Sequence, residues 1–181
     1  TAATDYLVRA RGDDVPPAPW ANVIANAHGG FLVSERGAGS TWVGSSQFFR
    51  LSPWHNDPIS DPVSEVLYLR DEESGEAWTA TPAPIGRDAS YTVVHGAGTS
   101  SFEHETLGIA THLTMGLADD LPIKLSLLRV SNTSGRVRRI AVTSFVEWVV
   151  GSLREHTQHQ VHTSFSTDTG EGAIFAQNFF D

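Results

Sequence analysis

The chain has 181 residues, 40% hydrophobic and 18% charged, which is ordinary globular composition and enough for a core that needs no metal or disulfide staples. A net charge of −9 argues against a nucleic-acid partner, and the absence of cysteine excludes a disulfide framework and thiol chemistry while fitting a reducing compartment. No apolar run approaches the ~20 residues that span a bilayer. The N-terminus carries no basic-plus-apolar signal pattern and does not begin with Met, which suggests a mature product or a segment of something longer.

Residues 1–19 read as a linker, in which DYLVRA is a helix end or a short strand and RGDDVPPAP follows. From residue 20 onward, short apolar runs alternate with Gly, Pro, Asn and Asp at intervals of roughly 8–12 residues, the signature of an all-β chain. Phe31 to Glu35 is one strand. Thr41 to Val43 leads into a loop and Val66 to Arg70 leads out of it. Leu67-Tyr68-Leu69 then pairs with Ala77-Trp78-Thr79 across Glu73-Ser74-Gly75 as a hairpin. Tyr91 to His95, Ser101 to Thr106 and Leu107 to Leu117 continue the series, with Leu113, Met115 and Leu117 sharing one face of the last.

Ile123 to Val130 and Arg136 to Val150, joined by Asn132 to Gly135, look like the clearest strand pair. The second is apolar on both faces, which predicts a central strand covered on both sides. Glu147 lies within that run and needs a partner. His162 to Thr167 and Ala173 to Ala176 form a last hairpin. No long helical stripe, internal repeat or low-complexity segment interrupts the pattern, so the expected fold is an antiparallel sandwich.

The stretch Trp42 to Asp71, WVGSSQFFRLSPWHNDPISDPVSEVLYLRD, stands apart. Prolines at 53, 58 and 62 forbid a helix and remove ladder donors, so Ser52 to Asp61 should be a rigid loop. Trp54, His55, Asn56 and Asp57 give it the chemistry of polyol recognition: a flat apolar face beside amide and carboxylate groups. The competing reading is a packed loop whose Asn and Asp turn on their own backbone.

Several blocks, WANVIANAHGGFLVSERGAGSTWVGSSQFFRLSPWHNDPISDPVSEVLYLRDEESGEAW, LLRVSNTSGRVRRIAVTSFVEWVVG, HQVHTSF and GAIFAQNFF, resemble the N-terminal β-domain of glycosyltransferase family 36 proteins. These are now grouped with the glycoside hydrolase family 94 phosphorylases. The form inside cyclic β-1,2-glucan synthases is the most similar, and the resemblance runs from Trp20 to Phe180.

It implies an all-β antiparallel super-sandwich, galactose mutarotase-like, over residues 20–181. It also implies a catalytic (α/α)6 barrel elsewhere in the same protein, so the segment alone is expected to be inactive. The function so implied is a non-catalytic, carbohydrate-binding accessory role in a bacterial glycosyltransferase or glycoside phosphorylase acting on β-glucans. Expected partners are a β-glucan or oligosaccharide, the barrel and possibly a second copy, with no cofactor. Localisation would follow the parent, either cytoplasmic or at the cytoplasmic face of the inner membrane.

Under this resemblance Arg50, Trp54, Asn56 and Asp57 become the substrate-binding candidates. Arg offers a fixed fork of donors for hydroxyls, and Trp offers a face for the C–H side of a pyranose.

Other groups read more plainly. Arg136, Arg138 and Arg139 are a solvated strand end, and Arg70-Asp71 is a turn with an ion pair worth at most ~1 kcal/mol. His156, His159 and His162 lack the tight spacing and companion ligands of a zinc site. Glu103, Glu105, Asp119 and Glu147 offer no evident catalytic pair. A stand-alone sugar-binding module and a mutarotase-like aldose epimerase using His104 with Glu147 are the alternatives.

Overall fold

A computed structural model describes residues 5–12, 14–168 and 170–180 of the chain. Its strands, in order, are β1 (Tyr6–Arg11), β2 (Ala21–Ala25), β3 (Gly29–Ser34), β4 (Gly39–Val43), β5 (Glu65–Asp71), β6 (Ala77–Thr79) and β7 (Ser90–Gly96). They continue as β8 (Thr99–Thr106), β9 (Ile109–Leu117), β10 (Lys124–Asn132), β11 (Ile140–Val146), β12 (Val161–Ser166) and β13 (Ala173–Asn178), with one short helix, α1 (Arg154–Thr157). Every strand pairing is antiparallel, as the alternating pattern predicts.

The strands form a five-stranded sheet in the order β1-β7-β8-β9-β10, two three-stranded sheets, β2-β3-β4 and β11-β5-β6, and the β12-β13 hairpin. The core lies where the large sheet meets the two smaller ones. Val93, Phe102, Leu113 and Met115 face inward from the large sheet, and Phe31, Val33, Leu69 and Trp78 meet them. Strand β3, between β2 and β4, is buried at nearly every position. Its Gly30 makes room for an aromatic ring, because a Cβ there would lie 2.5 Å from Cζ2 of Trp42.

DYLVRA forms a strand: β1 lies on β7 and carries Ala10 into the core. The β5-β6 hairpin forms with a one-residue shift from the expected register, because Tyr68 faces Thr79 and Leu69 faces Trp78. That register is closed at the turn by Gly75 N donating to Asp71 O and Asp71 N donating to Glu76 O. Leu107 is a turn residue rather than the start of β9. It and Gly108 both have positive φ, 55° and 73°, as a two-residue hairpin of the primed type requires.

Other expectations fail. Strands β10 and β11 do not pair with each other, because β10 closes the large sheet on β9 while β11 pairs with β5. Strand β11 is therefore an edge rather than a central strand, and Val142 and Phe145, on opposite faces, are half exposed. The basic cluster is also not simply solvated. Arg136 reaches Glu73 at 2.8 Å, and Arg138, with 4% of its side chain exposed, donates to buried Asp71 Oδ2 at 2.6 Å. A backbone bond from Glu73 and the Arg138 guanidinium hold the Asp71 carboxyl down at about 2, against the opposing effect of burial. Arg70 instead faces Glu72 at 3.9 Å.

Candidate functional site

The loop after β4 is held at its base before it opens. Leu51 N donates to Thr41 O at 2.8 Å, Thr41 N donates to Ser52 Oγ at 2.8 Å, and Ser40 Oγ donates to Ser52 O at 2.9 Å. Beneath them Glu65, at the start of β5, takes Thr41 Oγ1 and Ser52 Oγ on Oε1 and Lys124 Nζ on Oε2, each at 2.5 Å. Burial pushes the Glu65 carboxyl up, but the Lys124 charge and these bonds outweigh it and leave it lowered. One carboxylate thus ties β4, the loop, β5 and β10 together.

Further along, Asn56 and Asp61 take left-handed backbone, with φ of 49° and 39°, a conformation that Asn and Asp tolerate better than most side chains. Asp57 folds the tip between them. Its Oδ1 accepts from Ile59 N at 2.9 Å and Ser60 N at 3.3 Å, and its Oδ2 accepts from Ser60 Oγ at 2.6 Å. The Ser60 bond, then the two amides, lower its carboxyl. Asp61 bonds Ser34 Oγ at 2.6 Å across to β3, and burial raises it. Neighbouring Glu35 is fully buried, accepts from Trp20 N at 2.6 Å, and is raised chiefly by burial and also by the Asp61 charge.

This geometry encloses a cleft of about 230 Å³, lined by Trp54, Asn56 and Asp57 with Leu32, Ser34 and Asp61. Trp54 is 39% exposed, so a ring face remains accessible. Three of the four expected binding residues therefore meet in one place. Arg50 does not join them. It lies in a smaller recess of about 100 Å³ on the far side of Trp54 and His55, with Arg154 and Glu155. Its backbone pairs with Gly151 in both directions at 2.9 Å, and its Nε donates to Ser46 O at 2.8 Å.

Ser34 and Asp61 escaped the sequence reading. They lie 27 residues apart, on a strand and at a loop end, and no local pattern joins them. Ala18 and Pro19, within the expected linker, also line the cleft. The cleft offers an aromatic face, an amide, and carboxylates that can accept from hydroxyls.

The other candidates fall elsewhere. His104 lies on the buried face of β8, stacked against Tyr91, whereas Glu147 follows β11 and pairs with Arg154 at 2.8 Å. His156, His159 and His162 are spread over α1, the following 3₁₀ turn and β12. Among the described residues no group of three His, Asp or Glu side chains is placed to hold a metal ion.

The family model described as "Glycosyl hydrolase 94, supersandwich domain" matches residues 4–181. The chain belongs to that family. The supersandwich domain is 35% identical over 154 residues to the cyclic beta-(1,2)-glucan synthase NdvB of Rhizobium meliloti, covering 84% of this chain and 5% of the synthase. It is 26% identical over 156 residues to the N,N'-diacetylchitobiose phosphorylase of Vibrio proteolyticus, covering 84% of this chain and 20% of that protein. A solabiose phosphorylase of Paenibacillus borealis is 31% identical over 103 residues, or 56% of this chain and 13% of the relative. The supersandwich domain thus spans only a small part of these relatives. Among its described residues no helix is long and apolar enough to cross a membrane.

Proposed function

We propose that this supersandwich domain is a carbohydrate-facing accessory domain of a bacterial β-glucan-active glycosyltransferase or phosphorylase, and that the Trp54 cleft is its sugar contact. The observation that carries this reading is a half-open Trp54 ring beside Asn56, Asp57 and Asp61, on a loop fixed at both ends. A pyranose presents an apolar C–H face and a rim of hydroxyls, which is what a ring flanked by an amide and carboxylates can hold. The chemistry itself belongs to an (α/α)6 barrel in the same protein, against which this domain forms a wall. A second copy of the protein is a further partner. The protein works in the cytoplasm or at the cytoplasmic face of the inner membrane.

Calorimetry with β-linked gluco-oligosaccharides tests the reading. Trp54→Ala should weaken binding roughly tenfold, about 1.4 kcal/mol. Asn56→Gly separates recognition from folding, since Gly accepts the left-handed backbone and removes only the amide. It should leave the melting temperature nearly unchanged and still lower affinity. If neither variant changes the heat of binding, the cleft is not the sugar contact. The epimerase alternative is not favoured, since Glu147 is engaged by Arg154 and His104 by Tyr91.

A further inference from the structure

The segment 18–22 has a cavity on each side. Ala18, Pro19 and Ala21 line the Trp54 cleft, whereas Trp20, Ala21 and Asn22 line a second groove of about 600 Å³ with Tyr6, His95 and Ala97. Ala21 lines both, so the two cavities lie on opposite faces of β2, which is the edge strand of its sheet. The groove is within the size of ordinary ligand clefts, roughly 300–1,000 Å³. Its walls are the rings of Tyr6 and Trp20, 63% and 51% exposed, while Trp78, Tyr91, Phe31 and Phe102 are fully buried in the core. The ring centroids are 6.0 Å apart with planes at 69°, an open V rather than a closed stack.

The exposed rings stand on a fixed frame. Trp20 N donates to Glu35 Oε2 at 2.6 Å, and Trp20 O meets His95 Nε2 at 3.0 Å. Tyr6 sits opposite His95 in the β1-β7 ladder. Asn22 Nδ2 donates to Gly96 O, Thr99 O and Ser100 Oγ at 3.0, 3.1 and 3.0 Å. Asn22 also lines the groove. The opposite wall stays low because a Cβ on Gly96 would lie 2.8 Å from Asp5 Oδ1. Two exposed aromatic faces beside a pinned amide suit a ring with apolar C–H faces and hydroxyl edges.

We infer that the Tyr6–Trp20 groove is a second saccharide subsite, across the β2 edge from the Trp54 cleft, so that a chain of several sugar rings passing that edge meets both. The inference rests on the Trp54 cleft being a saccharide contact. The protein is titrated with linear β-1,2-gluco-oligosaccharides from the disaccharide upward. Affinity should rise with length. Trp20→Ala and Tyr6→Ala should remove that rise, roughly tenfold for the longer chains, and leave disaccharide binding as it was. Trp20→Phe should recover part of it.

Both rings are more than half exposed, so the melting temperature should hold in each variant. Unchanged long-chain affinity in both alanine variants overturns the second subsite and leaves the Trp54 reading standing. Disaccharide binding untouched by Trp54→Ala, with the length effect still lost in Trp20→Ala, overturns the Trp54 reading instead. Absence of binding at any length overturns both.

Discussion

His104 shows how a single buried side chain sets a pH limit. Its ring stacks on Tyr91 with centroids 4.2 Å apart and its Nδ1 meets Thr111 Oγ1 at 2.7 Å, while Nε2 is buried without a partner. Burial lowers its pKa from 6.5 to about 4. The native state therefore keeps it neutral down to about pH 4, whereas the unfolded chain takes up the proton from about 6.5 downward. Stability should fall as pH drops through that window, by on the order of 3 kcal/mol from this residue. His95, lowered mainly by burial, adds in the same direction. His104→Phe keeps a ring on Tyr91 and removes the titration. Urea midpoints measured between pH 7 and pH 4 should decline less steeply in this variant than in the parent. An equal decline would show that the acid sensitivity arises elsewhere. Nothing in the EHE or VHG context around these histidines signals their burial, which follows from the strand alternation once the core face is known.

At the scale of elements, the β8-β9 turn stores a correctable strain. Leu107 adopts φ 55° in a two-residue loop, although left-handed backbone costs an ordinary L-residue roughly 1–2 kcal/mol. The side chain is 42% exposed, and the contact from Arg138 Nη1, at 2.6 Å, is to the backbone carbonyl and survives substitution. Leu107→Asn should raise stability by about 0.5–1 kcal/mol, seen as a higher urea midpoint with an unchanged slope. A lower midpoint would mean that the Leu107 side chain contributes packing that outweighs the backbone relief. The Leu-Gly pair also explains why β9 begins at Ile109, two residues later than the sequence pattern predicts. Leu continues an apolar run, so composition pointed to a strand where the backbone needed a turn.

For the whole molecule, the uneven distribution of cover matters most. Phe165 and Ile174 face each other across the β12-β13 hairpin, and both are 68% exposed. Val142 and Phe145 on β11, and Phe175, Phe179 and Phe180 at the C-terminal end, are further large apolar side chains left exposed. Large apolar side chains left exposed in this number mark an interaction face or an aggregation liability. The chain by itself should bind a hydrophobic dye and associate at high concentration. Phe165→Lys with Ile174→Glu should reduce both while leaving the unfolding free energy within ~0.5 kcal/mol, since neither side chain belongs to the core. Dye binding that persists in the double variant would locate the sticky surface elsewhere. The same exposure marks β11: a strand apolar on both faces predicts cover on both sides, whereas the described chain supplies it with one neighbour, β5.

The sequence by itself determined the class of fold, the run of short strands, the hairpins at β5-β6 and β12-β13, and the stiff loop from Ser52 to Asp61. These depend on alternation, turn residues and proline, all of which act over a few neighbouring positions. It also carried the family, because long blocks of residues recur in order. Only the tertiary structure decided that β10 and β11 belong to different sheets, that Arg138 is buried on Asp71, and that Trp54 separates Arg50 from Asn56 and Asp57. It alone brought Ser34 to Asp61 and set Tyr6 beside Trp20. Those contacts join residues far apart in the chain, and their geometry is fixed by how the sheets pack rather than by any local pattern.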